Sequence, residues 1–465
     1  MFVSVIVALL AVPSALPVAD SVATQVDRYM SARTALGRFS GAVLIARGNR
    51  VILRKGYGFA DVEARKPYTP ETPQEIASIS KMFTSMVALK LRDRGRLKLE
   101  DSLAQWLPDC PAAWRAITLQ QLMRHTSGIP DYEEALEIGS PRYMEFMGRA
   151  DATQRIIDEA RVKPLDFAPG TKFHYSNTAY NVLALVVERA AREPFQKFVA
   201  RELLEPAGMK RAGVFDGTSR PAGLAQGYTH ADLGWPRVLA GTPLTEGHLK
   251  PVAHLPLTPP AGDGAIYATV DDLWRWSQVM DGSALVPAAE AAEVFTPGLE
   301  GYGYGWFVAQ GFDRLRYRHN GILPGHVSDF VKFPADSVTI ITLSNLDRAR
   351  LDRIMRDVTA IVLGTPWDMP VQGTVVTLTP AQIQALEGTY RMSDGKTLTV
   401  KMDGDMLAAA LEGRYTAGLI ALAPTEFYMP LGDGRTTFTL GPDGRAARVN
   451  LRYGGEDHVA ERAAP

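Results

Sequence analysis

The sequence predicts an α+β fold: an antiparallel sheet flanked by helices, carrying a helical insert, followed by a small all-β barrel. Three observations predict it. β-rich runs lie near residues 42–55 and again over 302–345, on either side of a helical, loop-rich middle. Pro366, Pro370 and Pro380 mark a stretch, 364–380, that separates this region from the rest. Beyond it, residues 381–462 alternate short strands with the turn sequences DGK, DGD, GDGR and PDGR. At 465 residues the chain exceeds what one hydrophobic core usually supports. It divides into a leader over 1–19, a main domain over 20–363, a linker over 364–380 and a barrel over 381–462.

In chain order, Phe2 to Val12 is an apolar run of signal-peptide length, too short to span a bilayer. Small residues follow, so cleavage is expected after Ala19 or Ala23, although no Lys or Arg precedes the run. The expectation is export to a periplasm or the medium, with no stable membrane insertion afterwards. Gln25 to Leu36 reads as a short helix. Ala42–Ala46 and Val51–Lys55 flank Gly48-Asn49 and read as a hairpin. Met82, Met86 and Leu89, with Phe83, Val87 and Leu91, predict a helix over about 79–94 that ends near Gly95. Tyr180, Leu183 and Val187 predict another over about 178–192. YGYGWFVAQ, RLRYRHN, HVSDFVKF and SVTIITLSN read as an antiparallel meander, and Leu351, Met355, Val358 and Val362 as a closing helix.

Composition narrows the function. Apolar residues make up 46% and charged residues 22%, with a formal net charge of −1. No Lys/Arg-rich run appears, so no nucleic-acid partner is expected. The single cysteine, Cys110, excludes an intramolecular disulfide and a CxxC zinc pattern. The 8 histidines are scattered without an HExxH. Neither a metal nor a cofactor is expected.

Chemistry enters at ASISKMF, residues 77–83. Ser78 and Lys81 are three residues apart at a helix start, so their side chains share a face. Unpartnered N–H groups and the helix dipole there favour developing negative charge. A hydroxyl, a nearby amine and an amide facing the oxyanion are what nucleophilic attack requires. The same serine would also serve as an ordinary N-cap. Further along, FAPGTKFHYSN places Tyr175 and Asn177 two apart, on one side of an extended segment. A phenol beside a lysine can shuttle protons, and an amide can hold a substrate carbonyl. Asn177 could equally cap the following helix. In YRHNGILPG, His319 sits on a strand, Gly321 allows a substrate backbone to approach, and the Ile322 N–H is a candidate oxyanion donor.

SISK, YSN and HNG, in that order, resemble the three motifs of the serine β-lactamase and penicillin-binding-protein superfamily. The Tyr-x-Asn form resembles the class C β-lactamase branch with its DD-peptidase, esterase and D-aminopeptidase relatives. ITLQQLMRHTSGIPDY, AGDGAIYATVDDLWRW and PGHVSDFVKFPADSVTIITLSN look like the same branch, over residues 20–363. The C-terminal part resembles a lipocalin-like barrel appended to some of these hydrolases. The resemblance implies Ser78 as the acylated nucleophile and Lys81 with Tyr175 as the proton-transfer pair. It implies Asn177 as the holder of the substrate carbonyl, and His319, Gly321 and Ile322 as a substrate-binding strand. His125 to Gly128 fit a family loop and read as structural. His319 departs from the pattern, since β-lactamases usually carry the lysine of Lys-Thr-Gly there. A histidine is mostly neutral at pH 7, given a reference pKa near ~6.5. The expected activity is therefore a metal-independent serine hydrolase acting on a small ester, amide or peptide. A β-lactamase or cell-wall DD-peptidase, or a module that binds β-lactams or peptidoglycan and turns over poorly, are the alternatives.

Overall fold

The computed structural model describes residues 21–463, apart from 219, 231–248, 284, 405, 414 and 431. The apolar leader and a cut after Ala19 lie outside these residues. A six-stranded antiparallel sheet organises the main region. Its strands in chain order are β1 (Gly41–Arg47), β2 (Arg50–Tyr57), β3 (Phe307–Gly311), β4 (Arg314–Leu323), β5 (His326–Phe333) and β6 (Val338–Ser344). Their spatial order is β3-β4-β5-β6-β1-β2. β1 and β2 form the hairpin expected around Gly48-Asn49, with Arg47 opposite Arg50. β1 then pairs with β6, Gly41 opposite Ser344, which joins the two ends of the region.

Both faces of this sheet are covered, and the strand alternation shows it. Leu44 points into one core, with Phe83, Val87, Leu183 and Trp276. Val43 and Ile45 point into the other, with Tyr29, Met30, Ile354 and Val358. The first core is closed by helices α2 (Ser80–Asp93), α3 (Asn177–Ala191) and α4 (Val270–Met280). The second is closed by α1 (Val22–Ala35) and α5 (Leu351–Leu363). β5 and β6 are buried along their whole lengths for this reason. β3 pairs with β4 only from Arg314 to Arg318. His319 to Leu323 therefore overhang that edge, and the turn at 76–79 packs there.

Residues 365–379 have no regular secondary structure, but they are tied down. Trp367 meets the Tyr29 ring edge-on at 6.0 Å, and Val371 packs on Ile420 and Tyr428. Helix α6 (Pro380–Leu386) follows, where composition suggests strands and turns only. Its start carries a readable signature: Thr379 and Gln382 form a capping box, with Pro380 at the first helical position. The last eight strands, Gly388–Met392 to Glu456–Arg462, close into a barrel. Arginine contacts help to dock it on the main region. Arg33 of α1 pairs with Asp433, and Arg356 of α5 donates to the Gly432 carbonyl at 3.2 Å.

Candidate active site

The residues around Ser78 form a tight turn rather than the first turn of a regular α-helix. Gln74–Glu75 pairs with Ile266–Ala268, and the Ile76 N–H donates to the Ile266 carbonyl at 3.0 Å. Ala77 then takes a left-handed backbone, φ 50°, at a cost of about 1 kcal/mol for an L-residue. A single 3₁₀ turn, Ala77–Ile79, leads into α2. Two hydroxyls brace it: Ser328 donates to the Ile76 carbonyl at 2.8 Å, and Ser80 accepts from the Ile266 N–H at 3.0 Å. Ala77 and Ile79 are buried, whereas Ser78 is part-exposed. The turn thus presents one hydroxyl to solvent from a rigid base.

Lys81 is fully buried beneath it. Its Nζ donates to Ser78 Oγ at 2.9 Å, Asn177 Oδ1 at 2.7 Å and the Asp263 carbonyl at 2.8 Å. Burial pulls the ammonium down to about 8, against the opposing pull of Asp263, Glu133 and Asp131. Asn177 is free for this because Ser176, not Asn177, caps α3, accepting from the Ala179 N–H. The Asn177 amide Nδ2 donates to Glu133 Oε2 at 2.8 Å and Asp131 Oδ2 at 3.2 Å. One side chain therefore bridges the lysine to two carboxyl groups. Burial, then Asp131 and Asp263, push the Glu133 carboxyl well up. Asp131 and Asp263 are raised by burial as well.

Tyr175 lies beside this group, its ring centroid 5.0 Å from Lys81 Nζ. Its hydroxyl is buried and makes no hydrogen bond of ordinary geometry among the described residues, although Ser78 stands close enough to favour its phenolate form. Burial outweighs this and holds the phenol well above its usual pKa. His125 supports the tyrosine from behind. Its ring stacks 4.1 Å from that of Tyr175, and its Nδ1 accepts from the Ser176 N–H at 3.0 Å. Gly128 follows with φ 75°, where a β-carbon would stand 2.3 Å from the Phe167 carbonyl oxygen.

The HNG strand lies alongside, with two differences from the expectation. His319 is 2% exposed, and its two ring nitrogens are both engaged within the protein. Nδ1 lies 2.7 Å from the Asn320 carbonyl, so it carries the proton. Nε2 then accepts from the Tyr302 hydroxyl at 3.0 Å. Burial, then Lys81, depress its pKa to about 3. In this arrangement His319 offers a substrate neither a free N–H nor a charge. The second difference is at Gly321. A β-carbon there would stand 2.3 Å from the Ile76 carbonyl and 2.9 Å from the Ala77 β-carbon. The glycine admits the protein's own Ile76–Ala77 turn rather than a substrate backbone. Ile322 is 51% exposed at the edge of the overhang, beside that turn.

The structure thus gathers Ser78, Lys81, Tyr175 and Asn177 directly, and brings His319, Gly321 and Ile322 to their border. Sequence reasoning missed Asp131, Glu133, Asp263 and Tyr302. The first two lie in GIPDYEE and the third in AGDG, and no spacing ties either stretch to Lys81. Three likenesses accompany this geometry. Penicillin-binding protein 4* of Bacillus subtilis is 26% identical over 440 residues, covering 91% of this chain and 95% of that protein. A solved penicillin-binding protein from Bacillus halodurans is 26% identical with a TM-score of 0.61, over 72% of this chain and 98% of that one. An octameric penicillin-binding protein homologue from Pyrococcus abyssi shares the fold over 94% of this chain and 99% of its own, at TM-score 0.65 and 22% identity. The Beta-lactamase family model matches residues 26–363, and the chain belongs to that family.

Proposed function

We propose that the chain is a serine hydrolase that acylates Ser78 and cleaves a small ester, amide or peptide. One observation carries the reading: a part-exposed serine hydroxyl lies 2.9 Å from a buried lysine whose pKa is pulled to about 8. At pH 7 about a tenth of Lys81 is then neutral and able to take a proton. Tyr175 is held as a phenol, so Lys81, not a phenolate, is the base for attack. Lys81 accepts the Ser78 proton as Oγ bonds to the substrate carbonyl carbon. The N–H groups of Ser78 and Ile322 receive the oxyanion. Tyr175 donates its proton to the leaving group and regains one from Lys81. Water then attacks the acyl-enzyme by the reverse path. Every proton transfer is assigned to a side chain, so turnover is expected to persist in EDTA. Substrates are small molecules, no nucleic acid is involved, and the apolar leader directs export. Among the described residues no helix is long and apolar enough to cross a membrane.

Incubation with a fluorophosphonate, followed by peptide mapping, should label Ser78 and spare Ser80 and Ser85. Ser78→Ala should lose both the label and multiple turnover of p-nitrophenyl acetate. Labelling at full stoichiometry in that variant overturns the proposal, and a single burst without turnover identifies an acyl-trapping module instead. The names of the relatives favour a second reading, penicillin recognition. Against it, His319 stands neutral where a lysine would hold the β-lactam carboxylate. A kcat/KM for nitrocefin orders of magnitude above that for p-nitrophenyl acetate would make the second reading the better one.

A further inference from the structure

The C-terminal barrel holds unfilled space that is partly open to its surroundings. A cavity of about 260 Å³ lies within it, lined by Leu398, Ala409, Ala417, Met429 and Leu451, with Arg353 at its mouth. An eight-stranded barrel is just wide enough to be filled by its side chains or to hold one small ligand. Here Ala409 and Ala417 face each other on adjacent strands, and two small side chains leave the room that larger ones would take. The volume sits near the lower end of ordinary small-molecule pockets, ~300–1,000 Å³.

Arg353 does not belong to the barrel. It projects from α5, which covers the sheet face opposite the core behind Ser78. The cavity is therefore separate from the candidate active site. Arg353 Nε is buried and makes no hydrogen bond, though it lies 3.3 Å from Asp352 Oδ2. That carboxylate is already held by Arg350 through two contacts of 3.1 Å. A guanidinium with donor capacity thus stands at the mouth of an apolar chamber. Tyr453 apart, the other lining side chains are apolar.

We propose that the barrel binds a medium-chain fatty acid, its alkyl chain inside the cavity and its carboxylate on Arg353. Calorimetric titration of the full chain with hexanoate, octanoate and decanoate tests this. One-to-one binding is expected, tightening about fourfold per CH₂ that enters the cavity. Decanol should bind more weakly than decanoate to the wild type and equally to Arg353→Gln. Ala409→Leu and Ala417→Leu, each checked for unchanged circular dichroism and melting temperature, should abolish binding by filling the space. Crystals soaked in 10-bromodecanoate, which require no variant, should show bromine density within the barrel. The proposal is overturned by absence of binding across the series, by binding that survives both alanine substitutions, or by bromine density elsewhere.

Discussion

At the scale of residues, the site is a lysine made usable by burial and restrained by carboxylates. Loss of Lys81 as alanine or of Tyr175 as phenylalanine should each lower kcat by at least ~10²-fold. The double variant should cost less than the product, because the proposed relay passes one proton through both groups. Multiplicative losses in ester hydrolysis kinetics would dissolve the pair. Glu133 makes a sharper test. Glu133, itself pushed up to about 8, ionises over the same range as Lys81, and its charge then favours the ammonium form and holds the Lys81 pKa up. Activity should rise with pH through about 8, as Lys81 gives up its proton. Glu133→Gln removes the anion and should move that limb of kcat/KM to lower pH. A limb that stays or moves upward contradicts the assignment. The Ser78–Lys81 pair was legible because both sit on one local turn. The carboxyl groups were not, since Asp131 and Glu133 meet Lys81 only through the Asn177 amide, and Asp263, whose backbone carbonyl accepts from Lys81, stands 182 residues away in sequence.

At the scale of elements, the device is a strand overhang meeting a strained turn. Gly321 lets β4 lie against the Ile76–Ala77 backbone, and that contact places Ser78. Gly321→Ala should push the turn away. Kinetics of ester hydrolysis should then show a fall in kcat/KM of about 10²-fold, the usual scale for ångström misplacement. Thermal unfolding should show an overpacking cost of only about 1–3 kcal/mol. A variant that loses stability but keeps its kcat/KM would show that the contact is merely structural. Periodicity exposed the long elements: the β1–β2 hairpin, the buried strands β5 and β6, and helices α2 and α3. It could not expose Gln74–Glu75 or Gly213–Val214, since two-residue strands have no period to read. The Ala77 backbone was invisible for a different reason, because alanine carries no sign of a left-handed conformation. Helix α6 had its sign, the Thr379–Gln382 box, inside a stretch whose prolines suggested a linker.

At the scale of the whole molecule, barrel and main region are joined by buried charge. Arg33 reaches Asp433 and the Tyr29 hydroxyl, and that hydroxyl donates to Asp357 at 2.7 Å. Burial pushes the Asp433 carboxyl up, but Arg33 and Arg38 outweigh it and hold it below the usual range. A depressed carboxylate pKa stabilises the folded state above the unfolded value of ~3.9 and ceases to do so as pH falls through the folded one. Docking should therefore be insensitive to pH from neutrality down to about 4. Asp433→Ala leaves Arg33 buried with a poorer partner, at a cost of about 3–5 kcal/mol. Scanning calorimetry should show the barrel's unfolding separating from that of the main region. One cooperative transition at the wild-type temperature would mean the ion pair holds nothing together.

The same α1 contacts bear on how the chain is made. Tyr29 finds Asp357 328 positions later, and Arg33 finds Asp433 400 positions later. β1 is likewise completed only by β6. A ribosome adding about 5–20 residues per second needs roughly 20–80 s to supply those partners. During that time the opening segment has only its contacts with the nearby hairpin, such as Asp27 with Lys55 at 2.6 Å, and lacks the rest of its native surroundings. The segment made first is therefore among the last to reach its complete native surroundings.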